Sequence, residues 1–338
     1  MMLLPSPMVA NVLHAPAAAS SLTGAETRQI LVRLGYLPLL STRYLGPRGN
    51  LHHQYVWDFP APAILAKLVA EDPWTDPFNP WVLGALYQFE AVHNLPIRPG
   101  SDGIRGLPKT IRQALLMAKK VDPYPWTWVL VSKFPRPEMV RVFVAGQGWV
   151  FRSPCNTGVL HATPNGTWPV YARARHTQMI GKFPVPVSAH AVHLYQAAVA
   201  AGYSLPKIDY GRYHHQWVQY QHYDDPDIRW VNYFFRGRAI HFYPRASYGF
   251  PQSAGCVELP KTAARAVFSL LHYGVPVSVV HRVIHPELRF SRPLPAIRYQ
   301  YQEVQKLSSS QSVHWQLEPV NSGSGTSPKN TSAKISPG

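Results

Sequence analysis

The chain has 338 residues, 46% of them hydrophobic, and 33 Lys and Arg against 17 Asp and Glu give it a formal charge of +16. This composition excludes global disorder, and the length predicts about two domains. Two cysteines exclude a disulfide scaffold or a four-thiolate zinc site, and no apolar run is long enough to predict a membrane span. The positive charge indicates an anionic partner. Nucleic acid, acidic lipid and anionic wall polymer all satisfy this requirement.

Residues 1–23 form an apolar, Ala-rich leader. Ala15–Pro16–Ala17 and Ala17–Ala18–Ala19 are similar to the cleavage sites of export signals. However, no Lys or Arg stands at its start, and Pro5 and Pro7 interrupt its apolar core. The leader is therefore interpreted as a remnant export signal or as a plain disordered leader.

Residues 24–120 show the apolar spacing of short helices. Thr23 or Gly24 caps the first helix and Gly35 ends it. Further helices are predicted through Ile64–Val69, through Val82–His93 and from Pro108 to Ala118.

Residues 121–285 change to the alternating pattern of strands. Strands are predicted at 129–131, 140–144, 149–151, 168–171, 230–235, 239–242 and 275–280. The dipeptide Asn165–Gly166 predicts a short hairpin, and one helix is expected at 261–273. We therefore expect a β-rich domain with few helices.

Cys256 carries the strongest chemical signal of the chain. A thiol becomes a nucleophile at neutral pH only beside a base or a cation. His241 stands at the end of an apolar strand, and Gly249 and Pro251 allow the loop between it and Cys256 to fold back. On spacing alone, a small buried hydrophobic residue is the alternative interpretation of Cys256.

The first region resembles a small helical peptidoglycan-binding domain. The resemblance rests on Leu34–Pro38, Leu86–Leu95 and the turn Asp102–Gly106. Gln88 and Phe89 stand in swapped order, and Leu107 replaces the usual Pro. The resemblance implies glycan binding, with a helical spacer as the alternative.

The second region resembles the catalytic domain of the YkuD-type L,D-transpeptidases. The matching blocks are Asn156–Gly158, Thr163–Arg173, Met179–Gly181, Asp225–Phe234, Ala239–His241, Tyr248–Pro260 and Gly274–Val277. The resemblance covers nearly all of 129–280, and it implies an α+β fold in which a helical peptidoglycan-binding-like domain precedes a β-rich catalytic domain.

The resemblance implies that Cys256 attacks the stem tetrapeptide of peptidoglycan, with His241 as the base. The carbonyl of Phe242 would orient this histidine, and backbone N–H groups around Gly255 and Cys256 would hold the oxyanion. The reaction needs no metal or cofactor. Cys155 is interpreted as structural.

Two residues depart from the family pattern. Ala254 replaces a histidine, and Glu258 replaces an arginine, where a carboxylate would repel an acidic stem or pair with an acceptor amine. Tyr248, Gly249 and Ser253 are expected to line the substrate pocket together with Ala254 and Glu258.

Residues 182–224 form an insertion with a predicted helix at 191–201. We expect it to form a lid or wall over the groove that binds the acyl donor. An insertion that only packs against the domain is the alternative, and zinc binding by its histidines is a weaker one. The tail, 286–338, is rich in Pro, Ser and Gly and is expected to be largely disordered.

The sequence thus predicts an exported L,D-transpeptidase of the bacterial cell wall or cell surface. Its partners would be stem peptides, glycan and anionic wall polymers, with no nucleic acid and no membrane span. Two alternatives remain open, an L,D-carboxypeptidase on the same scaffold and a non-catalytic wall-binding protein.

Overall fold

The computed structural model describes residues 22–45, 51–72, 76–99, 103–104 and 106–288. Several predictions lie outside these residues: nearly all of the leader 1–23, most of the tail 286–338, and Asp102 and Arg105 of the predicted turn.

The first region contains the four predicted helices. These are α1 (Gly24–Arg33), α2 (Ala63–Glu71), α3 (Pro80–Val92) and α4 (Lys109–Met117). A capping box begins α1: the Thr23 hydroxyl accepts from the Glu26 N–H at 3.2 Å, and the Glu26 carboxylate accepts from the Thr23 N–H at 2.7 Å. Asn79 begins α3, because its Oδ1 accepts from the N–H groups of Trp81 and Val82, each at 3.1 Å.

A hairpin that the sequence analysis missed lies between α1 and α2. Its strands are β1 (Leu39–Leu45) and β2 (Leu51–Trp57), paired antiparallel from Leu39↔Trp57 to Leu45↔Leu51. Gly46 and Pro47 directly after β1 are typical turn residues and were an available signal. No strand was predicted here, because the apolar spacing on either side is typical of helices.

The predicted β-rich region begins at β3. In chain order its elements are β3 (Thr127–Phe134), β4 (Met139–Val144), β5 (Gly148–Pro154), β6 (Gly166–Pro169), β7 (Ala172–Pro186), α5 (Ala189–Ala200), β8 (Tyr210–Tyr213), β9 (Gln216–Phe235), β10 (Arg238–Phe242), β11 (Val257–Leu259), α6 (Lys261–Leu270) and β12 (Pro276–Arg282). One sheet has the order β5-β4-β3-β12-β6, and the other has the order β11-β10-β9-β7 with β8 on β9.

The hairpin predicted from Asn165–Gly166 is wrong. Gly166 begins β6, which pairs antiparallel with the distant β12, and the residues before it form a short 3-10 turn at Val159–His161. The predicted strand 168–171 therefore ends at Pro169, where the chain crosses to the other sheet.

The insertion 182–224 extends the second sheet. Strands β7 and β9 pair along their length, from Ala172↔Tyr233 to Pro186↔Val218, and α5 with β8 connects them. The predicted helix is confirmed as α5. The proposed role as a lid stays a prediction.

Strand β3 is buried on both faces, and this explains how the core is built. Val129 and Val131 pack with Ile240 and Val257 in a core between the two sheets. The alternate residues Trp128 and Leu130 pack instead among the side chains of the N-terminal helices.

The helical region thus covers the outer face of the first sheet. Gly84 of α3 approaches Gly274 closely, since a Cβ on Gly84 would lie 2.4 Å from the Gly274 carbonyl oxygen. The Gln88 amide also bonds the carboxylate of Asp122 at 2.6 Å, in the segment that leads to β3. The boundary between the two regions at about 120 remains a prediction.

Glu90 gives the fold a pH dependence. Its side chain is 1% exposed on α3, and burial raises the pKa of Glu90 to about 7, although Arg98 opposes the shift. The folded protein therefore holds a proton that the unfolded chain releases near its ordinary pKa of 4.5. Stability falls as pH rises from that value through about 7.

We expect Glu90→Gln to be more stable than the wild type at pH 8, by about 1–3 kcal/mol, and nearly equal at pH 4. Urea unfolding across this range measures the difference. The matched control is Glu71→Gln, at the exposed end of α2. A gap between wild type and Glu90→Gln that does not change with pH contradicts the assignment.

Candidate active site

Cys256 and His241 are brought together by two parallel strands. His241 lies in β10, Cys256 directly precedes β11, and the register pairs Ile240 with Val257 and His241 with Glu258. The loop between the strands returns the chain beside its own starting point. The structure thus joins the two residues that the sequence analysis singled out.

His241 is held in one tautomer. Its ring is 3% exposed, and Nδ1 lies 2.8 Å from the Phe242 carbonyl oxygen, which can only accept, so Nδ1 carries the proton. Burial alone lowers the pKa of His241, but the charge and hydrogen bond of Cys256, with the Phe242 carbonyl and Glu258, raise it above its ordinary value. The imidazole is therefore set up to take a proton from the thiol.

The segment Asn156–Thr157 supports the loop that leads to Cys256. Asn156 Oδ1 accepts from the Gly249 N–H at 2.9 Å. The Thr157 carbonyl accepts from Gln252 at 2.9 Å and from Ser253 at 3.1 Å. Glu138, which the sequence analysis missed, holds Thr157 in place. Its buried carboxylate accepts from the Thr157 N–H at 2.7 Å and from the Thr157 hydroxyl at 3.0 Å.

Ser253 and Gly255 shape the loop. The buried Ser253 hydroxyl accepts from the Gly255 N–H at 3.0 Å and donates to the Cys256 carbonyl at 2.6 Å. Both groups are thus occupied within the loop, so the Gly255 N–H is not free for an oxyanion, and the role of Ser253 as pocket lining stays a prediction.

Gly255 is required for its backbone. Its φ is +144°, and an added Cβ would lie 3.0 Å from Arg238 Nε and 3.1 Å from the Ala162 carbonyl. Within the described part of the chain, the Cys256 N–H has no acceptor. This N–H, next to the thiol, is therefore free to donate.

Glu258 does not face an open substrate pocket as expected. Its side chain is 5% exposed and forms a bidentate pair with Arg245, with Nε to Oε2 and Nη2 to Oε1 both at 2.8 Å. Arg245 also donates to the Gln252 carbonyl at 3.2 Å. The carboxylate is neutralised by a cation from the connecting loop, which the sequence analysis missed.

The remaining predicted residues divide into two groups. Gly249 is buried, and an added Cβ would lie 2.5 Å from Pro137, so it packs in the loop rather than against a substrate. Tyr248 is half-buried and donates from its hydroxyl to the Tyr243 carbonyl at 2.6 Å. Ala254 is half-buried in the loop that leads to Cys256, and its role as pocket lining stays a prediction.

Three tyrosines that interact with Cys256 or His241 were also missed. Burial raises the pKa of Tyr223 and of Tyr233, and the Cys256 charge raises both further. The ring of Tyr243 lies 6.4 Å from that of His241, and its hydroxyl lies 3.4 Å from Asp225 Oδ1.

Cys155 is fully buried. Burial, together with Glu138, raises the pKa of this thiol well above its usual range, as suits a structural cysteine. Among the described residues, no group of three His, Cys, Asp or Glu is placed to hold a metal ion. In that same part of the chain, no helix has the length and apolar character to span a membrane.

Residues 127–279 match the family profile of the YkuD-type L,D-transpeptidase catalytic domain. They belong to this family. The match contains both His241 and Cys256 and stops short of the N-terminal helices. It also agrees with the α+β fold, in which the β-rich L,D-transpeptidase domain follows a helical region.

Solved structures that match the chain include three L,D-transpeptidases. The enzyme from Mycobacterium smegmatis is 16% identical, with 46% of this chain and 59% of that chain covered and a TM-score of 0.30. L,D-transpeptidase 3 from Mycobacterium tuberculosis is 17% identical, with 48% and 63% covered and a TM-score of 0.32. The enzyme from Stackebrandtia nassauensis is 15% identical, with 58% and 76% covered and a TM-score of 0.27.

The chain spans only about 60% of the length of the first two of these structures. No curated protein matches the sequence.

Proposed function

We propose that this protein is a peptidoglycan L,D-transpeptidase with Cys256 as its nucleophile. The observation that carries the proposal is the contact between Cys256 and a buried His241 whose Nδ1 proton is held by the Phe242 carbonyl. The family of residues 127–279 supports the same reaction class.

In the first half-reaction, His241 accepts the thiol proton and the thiolate attacks the carbonyl that joins the third stem residue to D-alanine. The Cys256 N–H stabilises the oxyanion. The C–N bond then breaks, His241 returns the proton to the leaving amine, and D-alanine leaves as a thioester forms.

In the second half-reaction, an amine of a neighbouring stem attacks the thioester. His241 takes the proton of that amine, the C–S bond breaks, and the thiol is restored. The product is a new amide between two stems. Water in place of the amine gives a tripeptide instead.

The substrate places the protein outside the cytoplasm, in the wall or at the cell surface. The formal charge of +16 supports contact with anionic wall polymers. The N-terminal helices, similar to peptidoglycan-binding domains, would add contact with glycan.

Incubation of the full chain with purified tetrapeptide muropeptides tests the proposal. We expect dimers with a link between the third residues of two stems, together with free D-alanine, by mass spectrometry. Tripeptides alone would indicate a carboxypeptidase. Unchanged muropeptides would contradict the enzymatic function and favour a non-catalytic wall-binding protein.

A further inference from the structure

The peptide bond between Gly255 and Cys256 carries the N–H that the proposed mechanism uses for the oxyanion. A trans peptide is planar, so its carbonyl and its N–H point in opposite directions. Whatever fixes the Gly255 carbonyl therefore also fixes the direction of the Cys256 N–H. Gly255 itself gives little restraint, because a residue without a Cβ rotates easily about its backbone bonds.

Thr163 donates a hydrogen bond to this carbonyl. Its hydroxyl oxygen lies 2.8 Å from the Gly255 carbonyl oxygen and 2.7 Å from the Gly158 nitrogen. The Gly158 N–H can only donate, so the single hydroxyl proton goes to Gly255. Among the described residues, no other group donates to the Gly255 carbonyl. Thr163 is fully buried, so its hydroxyl is shielded from bulk water.

Two cations hold the backbone at Thr163. The buried Lys133 ammonium donates to the Thr163 carbonyl at 2.5 Å and to Asn165 Oδ1 at 3.1 Å. Arg238 Nε donates to the Ala162 carbonyl at 2.6 Å. Two consecutive carbonyls are thus each held by a charged donor, and such bonds are stronger than those between neutral groups. The Thr163 hydroxyl therefore stands on a rigid support.

The segment that carries Thr163 and the loop that leads to Cys256 pack backbone against backbone. A Cβ on Gly158 would lie 2.8 Å from the Gly255 Cα. The Ser253 hydroxyl holds the Gly255 N–H and the Cys256 carbonyl, which flank the peptide in question. It leaves the Gly255 carbonyl to Thr163, so the peptide that carries the Cys256 N–H depends on the threonine.

We propose that Thr163 is a positioning residue for the oxyanion: its hydroxyl holds the Gly255–Cys256 peptide so that the Cys256 N–H points at the developing negative charge. This inference rests on the proposed function, which supplies a reaction in which an oxyanion forms. Thr163 acts only through the Gly255 carbonyl. A hydrogen bond to a peptide carbonyl also polarises that peptide, which strengthens its N–H as a donor.

The test compares two reactions of Cys256, of which one forms an oxyanion. With p-nitrophenyl acetate, the thiolate adds to the carbonyl carbon, the carbonyl oxygen becomes an oxyanion, and p-nitrophenolate leaves as the C–O bond breaks and a thioester remains. With iodoacetamide, the thiolate displaces iodide from a saturated carbon, and no oxyanion forms. Thr163→Val keeps the shape of the side chain and removes the hydroxyl. We expect it to slow acylation about 10- to 100-fold and to change alkylation by less than about threefold.

Thr163→Ser and Thr167→Val are the matched controls. The first keeps the hydroxyl and should be acylated within about threefold of the wild-type rate. The second removes a hydroxyl from β6, where it contacts Ser278 at 2.9 Å, and should leave both rates unchanged. Equal slowing of acylation and alkylation in Thr163→Val, or slowing of neither, overturns the inference.

Thr163→Val leaves two buried backbone groups without a partner, so its fold is checked by circular dichroism and urea unfolding. If it does not fold, Lys133→Met takes its place. This variant removes the charged donor from the Thr163 carbonyl and keeps every group of the loop. We expect the same selective loss of acylation, and unchanged acylation in Lys133→Met would then overturn the inference.

Failure of the proposed function is recognised separately. With a tetrapeptide stem, Thr163→Val should lower kcat for D-alanine release about 10- to 100-fold and leave KM nearly unchanged, since the oxyanion contact is made only in the transition state. A wild type that reacts with p-nitrophenyl acetate but releases no D-alanine contradicts the proposed function. The comparison of acylation with alkylation still decides the role of Thr163 in that case.

Discussion

Cys256→Ala is expected to release no D-alanine above background from a tetrapeptide stem, a loss of at least about 1000-fold in kcat/KM. The reason is that the thiolate forms the thioester itself, and no other described thiol is accessible to replace it. His241→Gln should lose a similar factor, because its amide cannot take the thiol proton. The two losses should not add, since both residues serve one proton transfer.

Cys155→Ala is the matched control for the loss of activity in Cys256→Ala. Cys155 is buried and Cys256 is partly accessible, so iodoacetamide should label the folded protein only at Cys256. We expect Cys155→Ala to keep its catalytic rate and to lose only some stability. An equal loss of activity in Cys155→Ala, with the fold intact by circular dichroism, contradicts the assignment of the nucleophile.

Arg245→Gln is expected to lower the free energy of unfolding by about 3 kcal/mol, since it leaves the buried Glu258 carboxylate without its cation. The same change should act on catalysis. Glu258 already raises the pKa of His241, and the uncompensated charge raises it further. The acidic limb of kcat/KM for D-alanine release, below which His241 is protonated and cannot take the thiol proton, should therefore move to higher pH.

The double variant Arg245→Gln/Glu258→Gln completes the cycle. It replaces the ion pair by two neutral amides, so we expect most of the lost stability to return and the acidic limb of kcat/KM to move back to lower pH. Urea unfolding and a pH profile measure the two effects. Equal stability of Arg245→Gln and the wild type contradicts the view that Arg245 neutralises a buried charge.

The elements predicted from local pattern agree well with the structure. Thr23 and Asn79 begin helices because their side chains accept from N–H groups two or three residues ahead, a contact that needs no distant part of the chain. The strand that was missed and the strand that was wrongly paired both depend on pairing with another strand. Strand β1 pairs with β2, and β6 pairs with β12, more than 100 residues away.

For the active site, the residues of the local motif were easier to find than their roles. His241 and Cys256 stand out by residue type and spacing, and they meet because parallel pairing of β10 and β11 places them at one edge. Ser253 and Glu258 were assigned to the substrate because the sequence does not show their partners. A hydroxyl or carboxylate next to a nucleophile looks the same in the sequence whether it faces a ligand or the protein.

The sequence by itself determined the α+β order of the chain, the change from helices to strands near 121–127 and the choice of His241 and Cys256 as the candidate pair, because periodicity and short motifs are local properties. Only the tertiary structure decided that Arg245 neutralises Glu258 and that Glu138 holds Thr157 next to the loop that leads to Cys256. These contacts join separate strands and loops, so their geometry depends on sheet register.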